Sequence, residues 1–320
     1  MSSDRNYVKF DFNNIKLAHT WKQEIRDVKD ILVEYISKNS YNIFKNEEKK
    51  DTLNFYAVTS KLTSLNQIYI LIIFVSNESE FHSKYIGVLK DIYNVIKEKS
   101  NTKFDSISMW YQLTTSKKKP DENTEIVFID GSTDICESIG DFKVYISPNS
   151  FTQSNYNAMI QLYDLIKNIT SGKDGLSSDT IHYYGRGMTP MLLYIRNNFK
   201  KMYGYSSCEI AYNDGLKSLK ENNVDNIDNI ELICDREKEI FFENINKNGL
   251  ESTIMISASR NGFRKIDKIP RVKRFIYIAC NMESFLDEIK GIPITYEVLG
   301  EIDMFPGTAY KEIIFDIKRI

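Results

Sequence analysis

Apolar residues recur at helical spacing at Trp21, Ile25, Val28, Leu32 and Tyr35, which predicts an amphipathic helix near the amino terminus. Residues 54–59 and 68–75 then read as two strands separated by Ser-Leu-Asn. Tyr85, Val88, Leu89, Ile92, Val95 and Ile96 mark a second helix. Strands near residues 106–113, 125–129 and 142–146 follow, broken by Lys-Pro-Asp-Glu-Asn and Asp-Gly-Ser turns. This half reads as α+β.

Beyond Ser147-Pro148-Asn149 helices and short apolar strands alternate, the pattern of βαβ units on a parallel sheet. A helix is expected over 155–169, then strands at 181–184, 207–211, 230–234, 253–257, 275–279, 296–302 and 313–317. Only Asp303 to Glu312 connects the last two, so they are expected to form an antiparallel hairpin closing the sheet edge. The expected fold class is α/β, with domains over 1–146 and 147–320. A chain of 320 residues suits two domains.

With 42% apolar and 27% charged residues, the chain has the composition of a soluble globular protein. Its longest strongly apolar run, Ile68 to Val75, is less than half a bilayer crossing, and no apolar signal region opens the sequence. A cytoplasmic protein with no membrane partner is expected, and a monomer, since no long exposed apolar stripe is evident. Cys136, Cys208, Cys234 and Cys280 show no CxxC pairing, which argues against a disulfide framework, a zinc knuckle or an iron–sulfur cluster. His19, His82 and His182 are too scattered for a metal site, so no metal is expected. The formal net charge of −2 gives no global signal for a polyanion partner. Local patches remain open: the triple lysine Lys117-Lys118-Lys119, and Lys61, Lys143, Arg260, Arg264, Lys265, Lys268, Arg271, Lys273 and Arg274.

The candidate chemistry lies in the second half. The apolar strand Phe275 to Ala279 delivers Cys280 and Asn281 at its carboxyl end, where open α/β sheets bind ligands. The segment Asp303-Met304-Phe305-Pro306-Gly307-Thr308-Ala309-Tyr310-Lys311-Glu312 returns a carboxylate toward the same rim. A thiol nucleophile and a carboxylate base would then face each other, with Thr308 and Tyr310 able to orient the glutamate or close over a substrate. The bland alternative is a buried cysteine that merely fills space. Tyr183-Tyr184-Gly185-Arg186-Gly187 ends a strand in Gly-x-Gly before a helix near Thr189-Pro190, a turn whose bare backbone admits a ligand or is a plain loop. Cys208-Glu209-Ile210 ends the next expected strand, where an acid holds ribose hydroxyls in nucleotide sites, the alternative being a surface glutamate. In the run from Ser147 to Asn155, Ser154 is a candidate helix cap and Phe151 a packing residue.

At these segments the chain resembles the RNA (uracil-carbon-5) methyltransferases, the S-adenosylmethionine-dependent family that makes ribothymidine in tRNA and related uridines in ribosomal RNA. Asn149-Ser150-Phe151-Thr152-Gln153-x-Asn155 matches its motif ahead of the methyltransferase fold, and Tyr183 to Gly187 its Tyr-x-Gly-x-Gly loop. Glu209-Ile210-Ala211 matches the acidic segment, Cys280-Asn281 the nucleophile motif, and Met304-Phe305-Pro306-x-Thr308 to Glu312 the terminal motif. They occur in order between residues 147 and 317. The chain looks most similar to the tRNA branch.

The resemblance implies a Rossmann-like S-adenosylmethionine-dependent methyltransferase sheet preceded by a smaller RNA-binding domain. It implies S-adenosylmethionine as cofactor, lined by Gln153, Tyr183, Gly185, Gly187 and Glu209, and RNA, with tRNA foremost, as partner. Cys280 would add to carbon 6 of a uracil, and Glu312 would remove the carbon 5 proton after methylation. The chain departs from the family at Ser257-Ala258-Ser259-Arg260, where Asp-Pro-x-Arg is usual, at Arg186 and Met188 in the cofactor loop, and at Tyr310, which replaces a histidine. An RNA-binding relative with impaired catalysis is the alternative reading.

Overall fold

The computed structural model describes residues 5, 7–12, 20–44, 49, 52–100, 103–115, 124–172, 178–222 and 229–320. His19 and Lys117, Lys118 and Lys119 lie outside them. The chain divides into two compact units, Ser3–Glu137 with Ser147–Asn149, and Ser138–Ile146 with Ser150–Ile320.

In the first unit, β1 (Tyr7–Asp11), β2 (Asn42–Ile43), β3 (Asn54–Leu62), β4 (Gln67–Val75), β5 (Ser106–Thr114) and β6 (Ile126–Gly131) form one sheet. Its order is β1-β3-β4-β5-β6, with β2 beside β3. Two helices, α1 (Gln23–Lys38) and α2 (Phe81–Ser100), pack on this sheet. Ile25, Val28 and Leu32 of α1 meet Leu89, Ile92 and Ile96 of α2 over Ile68, Ile70, Ile72 and Phe74. The helical stripe legible in the sequence is therefore a core stripe. β4 runs parallel to β5 through α2 and is buried on both faces, which is why it reads as an unbroken apolar run. Lys61, a candidate for a surface patch, is instead buried, its ammonium 3.1 Å from the carboxylate of buried Glu137. Glu137 also accepts the Ser64 N–H at 2.6 Å.

The second unit is built on a seven-stranded sheet of order β11-β10-β9-β12-β13-β15-β14. Its strands are β9 (Thr180–Tyr184), β10 (Lys201–Ser206), β11 (Ile230–Cys234), β12 (Thr253–Ser257), β13 (Arg274–Ala279), β14 (Ile294–Ile302) and β15 (Glu312–Arg319). The first five run parallel, and β15 inserts antiparallel between β13 and β14. The expected closing hairpin is present, with β14 rather than β15 at the edge.

One face of this sheet carries α3 (Tyr156–Ile169) and α4 (Met188–Ile195), joined by residues of the ribbon formed by β7 (Cys136–Ile139) and β8 (Phe142–Tyr145). The other carries α6 (Glu239–Asn248) and α7 (Met282–Ile289). The remaining helix, α5 (Glu209–Glu221), meets β8, where Ser218 Oγ accepts the Tyr145 N–H at 2.9 Å. This is a Rossmann-like arrangement, an α/β sandwich of three layers. No described helix is long and apolar enough to cross a membrane.

Two expectations need correction. The strand expected over 207–211 lies at Lys201–Ser206, and Glu209 opens a helix instead of ending a strand. Gly204 interrupts the apolar pattern there because a Cβ at that position would come within 2.7 Å of the Leu192 side chain and 3.0 Å of Leu232. Close packing of α4 on the strand requires a glycine that weakens the strand signal. Arg274 is also no surface cation. It is buried, 3.6 Å from Asp316, and donates to the Ile169 carbonyl at 2.8 Å.

Candidate active site

The register of β13 on β15 decides how Cys280 and Glu312 meet. Ala279 pairs with Ile313, so the next step along both strands sets Cys280 opposite Glu312. Side chains alternate along a strand, and residues opposite each other in an antiparallel pair share a face. Ile276, Ile278 and Ile314 pack in the core layer of α3 and α4, whereas Phe275, Tyr277, Ala279, Ile313 and Phe315 pack in the other layer. By that alternation Cys280 and Glu312 both lie on the α3 and α4 face, at the carboxyl rim of the parallel strands. Both are buried.

Asn281 serves the local geometry. Its side chain caps α7 by accepting the Glu283 N–H at 3.1 Å and donates to Ser284 Oγ at 2.9 Å. The cap starts a helix immediately after the cysteine and fixes the backbone on the carboxyl side of the thiol.

Burial and mutual charge set the acidities. Loss of solvent pushes the Glu312 carboxyl up to about 7. Burial, and then the neighbouring Glu312 carboxylate, push the Cys280 thiol up to about 11, against the Arg260 guanidinium, which pulls it down. A carboxyl that titrates near neutrality can accept a proton and later release it.

Tyr183 lies on the same sheet face as this pair, packed in the same core layer. Its hydroxyl is hydrogen-bonded to the Ser257 side chain at the end of β12, and burial holds it far above the usual phenol range. The turn after it is tight. A Cβ at Gly185 would stand 3.1 Å from both Ser257 Cβ and the Tyr183 hydroxyl, and one at Gly187 would stand 3.2 Å from the Phe151 ring. These glycines leave bare backbone where α4 begins at Met188, with its first N–H groups free of helical partners. The Ser257 hydroxyl is engaged by Tyr183.

The segment before α3 brings the rest. Asn155, not Ser154, caps α3, accepting the Ala158 N–H at 3.1 Å. Ser154 donates instead to the Met304 carbonyl at 3.0 Å, which ties this segment to the loop leading into Glu312. Thr152 Oγ1 is buried with no hydrogen-bond partner, so this segment holds an unspent polar atom. Gln153 is half-buried beside it in sequence. Glu209, at the start of α5, is exposed and engaged by Arg236, 2.7 Å away. Thr308 does not orient Glu312. Its hydroxyl donates to the Phe305 carbonyl at 2.8 Å and accepts the Tyr310 N–H at 3.2 Å, which shapes its own turn.

No protein-family model matches the chain. A protein of Fusobacterium nucleatum, named as an uncharacterized RNA methyltransferase, is 28% identical over 316 residues, covering 96% of this chain and 63% of that protein. The chain is similar to proteins named as RNA methyltransferases. The tRNA (uracil(54)-C(5))-methyltransferase of Pyrococcus horikoshii is 26% identical over 215 residues, covering 66% of this chain and 49% of the relative. The crystal structure of the Pyrococcus abyssi tRNA (uracil-54, C5)-methyltransferase in complex with S-adenosyl-L-homocysteine superposes with a TM-score of 0.68 at 19% identity, over 98% of this chain and 75% of that one. That likeness shows the shared fold. The chain spans between about half and two thirds of the length of these curated relatives.

Two features of this site were not legible in the sequence. The cap formed by Asn281 was hidden behind its position next to the cysteine, although Asn followed two residues later by Glu is an ordinary helix start. The engagement of Glu209 by Arg236 joins residues from different strand ends and leaves no local pattern.

Proposed function

We propose that this protein transfers a methyl group from S-adenosylmethionine to carbon 5 of a uridine in RNA, with tRNA as the RNA class, through a covalent Cys280 adduct. The observation that carries the reading is the placement of Cys280 directly opposite Glu312 on one sheet face. The polar atoms near the glycine turn suit a nucleoside-bearing donor. Thr152 offers an unspent hydroxyl, Gly185 and Gly187 bare backbone, and Gln153 and Glu209 polar side chains for the amino acid and ribose ends. When bound, the donor supplies an electrophilic methyl group on a sulfonium.

The chain's own residues perform the rest. Cys280 gives its proton to solvent, and its sulfur bonds to carbon 6 of the uracil, moving the ring's double-bond electrons toward the carbon 4 oxygen. That charge makes carbon 5 nucleophilic enough to take the methyl, whose former bond to sulfur breaks and leaves its electron pair on a neutral thioether. Glu312 as carboxylate then removes the proton left on carbon 5. The freed electrons restore the double bond to carbon 6 and expel the sulfur. The base must leave its stack to reach this rim.

A tRNA transcript containing 5-fluorouridine tests the reading. With donor present, a methylated covalent adduct with Cys280 should accumulate, because fluorine replaces the proton Glu312 must take. Absence of any adduct, with donor and RNA both bound, would overturn it. One observation favours a second reading, an RNA-binding relative with impaired catalysis: Ser257 brings no charge, and its hydroxyl is committed to Tyr183. Such a protein would bind tRNA in a salt-dependent way and form no adduct.

A further inference from the structure

Arg260 occupies an unusual place. Its guanidinium lies 5.2 Å from the centre of the Tyr310 ring and 6.0 Å from that of Phe305, both in the loop that delivers Glu312. Its backbone carbonyl accepts the Ser284 hydroxyl at 2.8 Å, from the helix that follows Cys280. Ser259 bridges to Gly262 in a closed turn around it. Among the described residues no carboxylate stands within ion-pair distance of the guanidinium. Arginines in loops gain little from unconstrained charges, since solvent and side-chain entropy dilute them. Two aromatic faces remove much of that freedom and leave the charge unspent.

The groups facing Cys280 show what the charge is for. Glu312 faces it from β15, and Tyr277 lies behind it on β13, its hydroxyl bonded to Glu288 at 2.7 Å. The first turn of α7 follows it in the chain. Tyr183, from β9, interacts with Glu312. Arg260 is tied through Ser284 to Asn281, the residue after Cys280, and its guanidinium lies over the loop that ends in Glu312, so among the described residues a thiolate here has Glu312 as its neighbouring carboxylate and Arg260 as its neighbouring cation.

We propose that Tyr310 is a positioning residue whose ring holds the Arg260 guanidinium as counter-ion to the Cys280 thiolate. This rests on the reading of Cys280 as nucleophile. It assigns a purpose to the tyrosine that replaces the family's histidine. The ring carries the effect, so the hydroxyl is dispensable.

The test is the pH profile of Cys280 alkylation by iodoacetamide in the full chain without RNA or donor, followed peptide by peptide in a mass spectrometer. Tyr310→Leu and Arg260→Met should each move the Cys280 profile upward by about one unit, so that alkylation below it slows about tenfold. Tyr310→Phe should keep the original profile, and Cys234 should be unaffected throughout. Arg260→Met leaves the turn from Phe305 to Glu312 intact and reads the same charge if Tyr310→Leu disturbs folding. An unchanged Cys280 profile in Arg260→Met overturns the proposal. Unchanged thiol acidity with weaker, less salt-dependent tRNA binding would assign the guanidinium to a phosphate instead. Alkylation needs neither methyl transfer nor RNA, so failure of the fluorouridine adduct and failure of this profile are separate results.

Discussion

Cys280 stands opposite Glu312 across the antiparallel pair of β13 and β15, and each raises the energy of the other's charge. The pair therefore prefers to carry at most one negative charge. In the proposed reaction, covalent attachment of the sulfur to a pyrimidine would remove the thiolate just before the carboxylate is needed as a base.

Separation of the two roles is the first expected outcome. Cys280→Ala should form no adduct with RNA. Glu312→Gln should form methylated adduct with ordinary uridine and release it roughly 10²- to 10⁴-fold more slowly, the usual worth of a positioned base. Release in the unaltered protein should quicken as pH rises through about 7, where Glu312 ionises. Rapid-quench analysis of adduct and product checks both, and equal release rates in the two proteins would contradict the assignment of the base.

Glu312 should also limit stability. Its carboxyl titrates near 4.5 when exposed and about 7 in the fold, so the folded state binds the proton more tightly. Its favourable contribution is full below about 4.5 and is lost as pH rises through about 7. Glu312→Gln, neutral at every pH, should stabilise the protein by up to about 3 kcal/mol above pH 8 and by little at pH 4. Urea unfolding at the two pH values measures the difference.

The buried pair of Lys61 and Glu137 gives a prediction for the first unit. Glu137→Ala strands an ammonium without its partner and removes the carboxylate that accepts the Ser64 N–H, at a cost of about 3–5 kcal/mol. Replacing Lys61 by Met and Glu137 by Leu together should recover most of that loss. Thermal unfolding of the single and double variants tests the coupling.

The two glycines of the turn after β9 should respond unequally to alanine. At Gly185 the new methyl meets the half-buried Ser257 Cβ and the buried Tyr183 hydroxyl, hydrogen-bonded to each other, so both must give by a few tenths of an ångström. At Gly187 it meets the Phe151 ring, which is 42% exposed and free to swing outward. Calorimetry with S-adenosyl-L-homocysteine should show a loss of about tenfold or more for Gly185→Ala and a much smaller one for Gly187→Ala.

Much of the second unit was legible where burial is continuous. The strands at 230–234 and 253–257 coincide with β11 and β12, because short apolar runs between polar turns have few other uses. β10 was displaced toward residues 207–211 because Gly204 answers to α4, an element the local pattern does not contain. Lys61 and Arg274 were read as surface charges because type and neighbours favour that, while their carboxylate partners come from distant parts of the chain.

The candidate site divides the same way. The sequence by itself determined the chemical groups and their delivery to strand ends: a thiol after β13, a carboxylate before β15, glycines after β9. It did not determine on which side of the sheet they point. Parity counted along the chain fails across a loop and across the register shift between Val298 and Gly300 on β14. Only pairing of β15 against β13, set by burial of Ile314 in one layer and of Ile313 and Phe315 in the other, put sulfur and carboxylate on the same face.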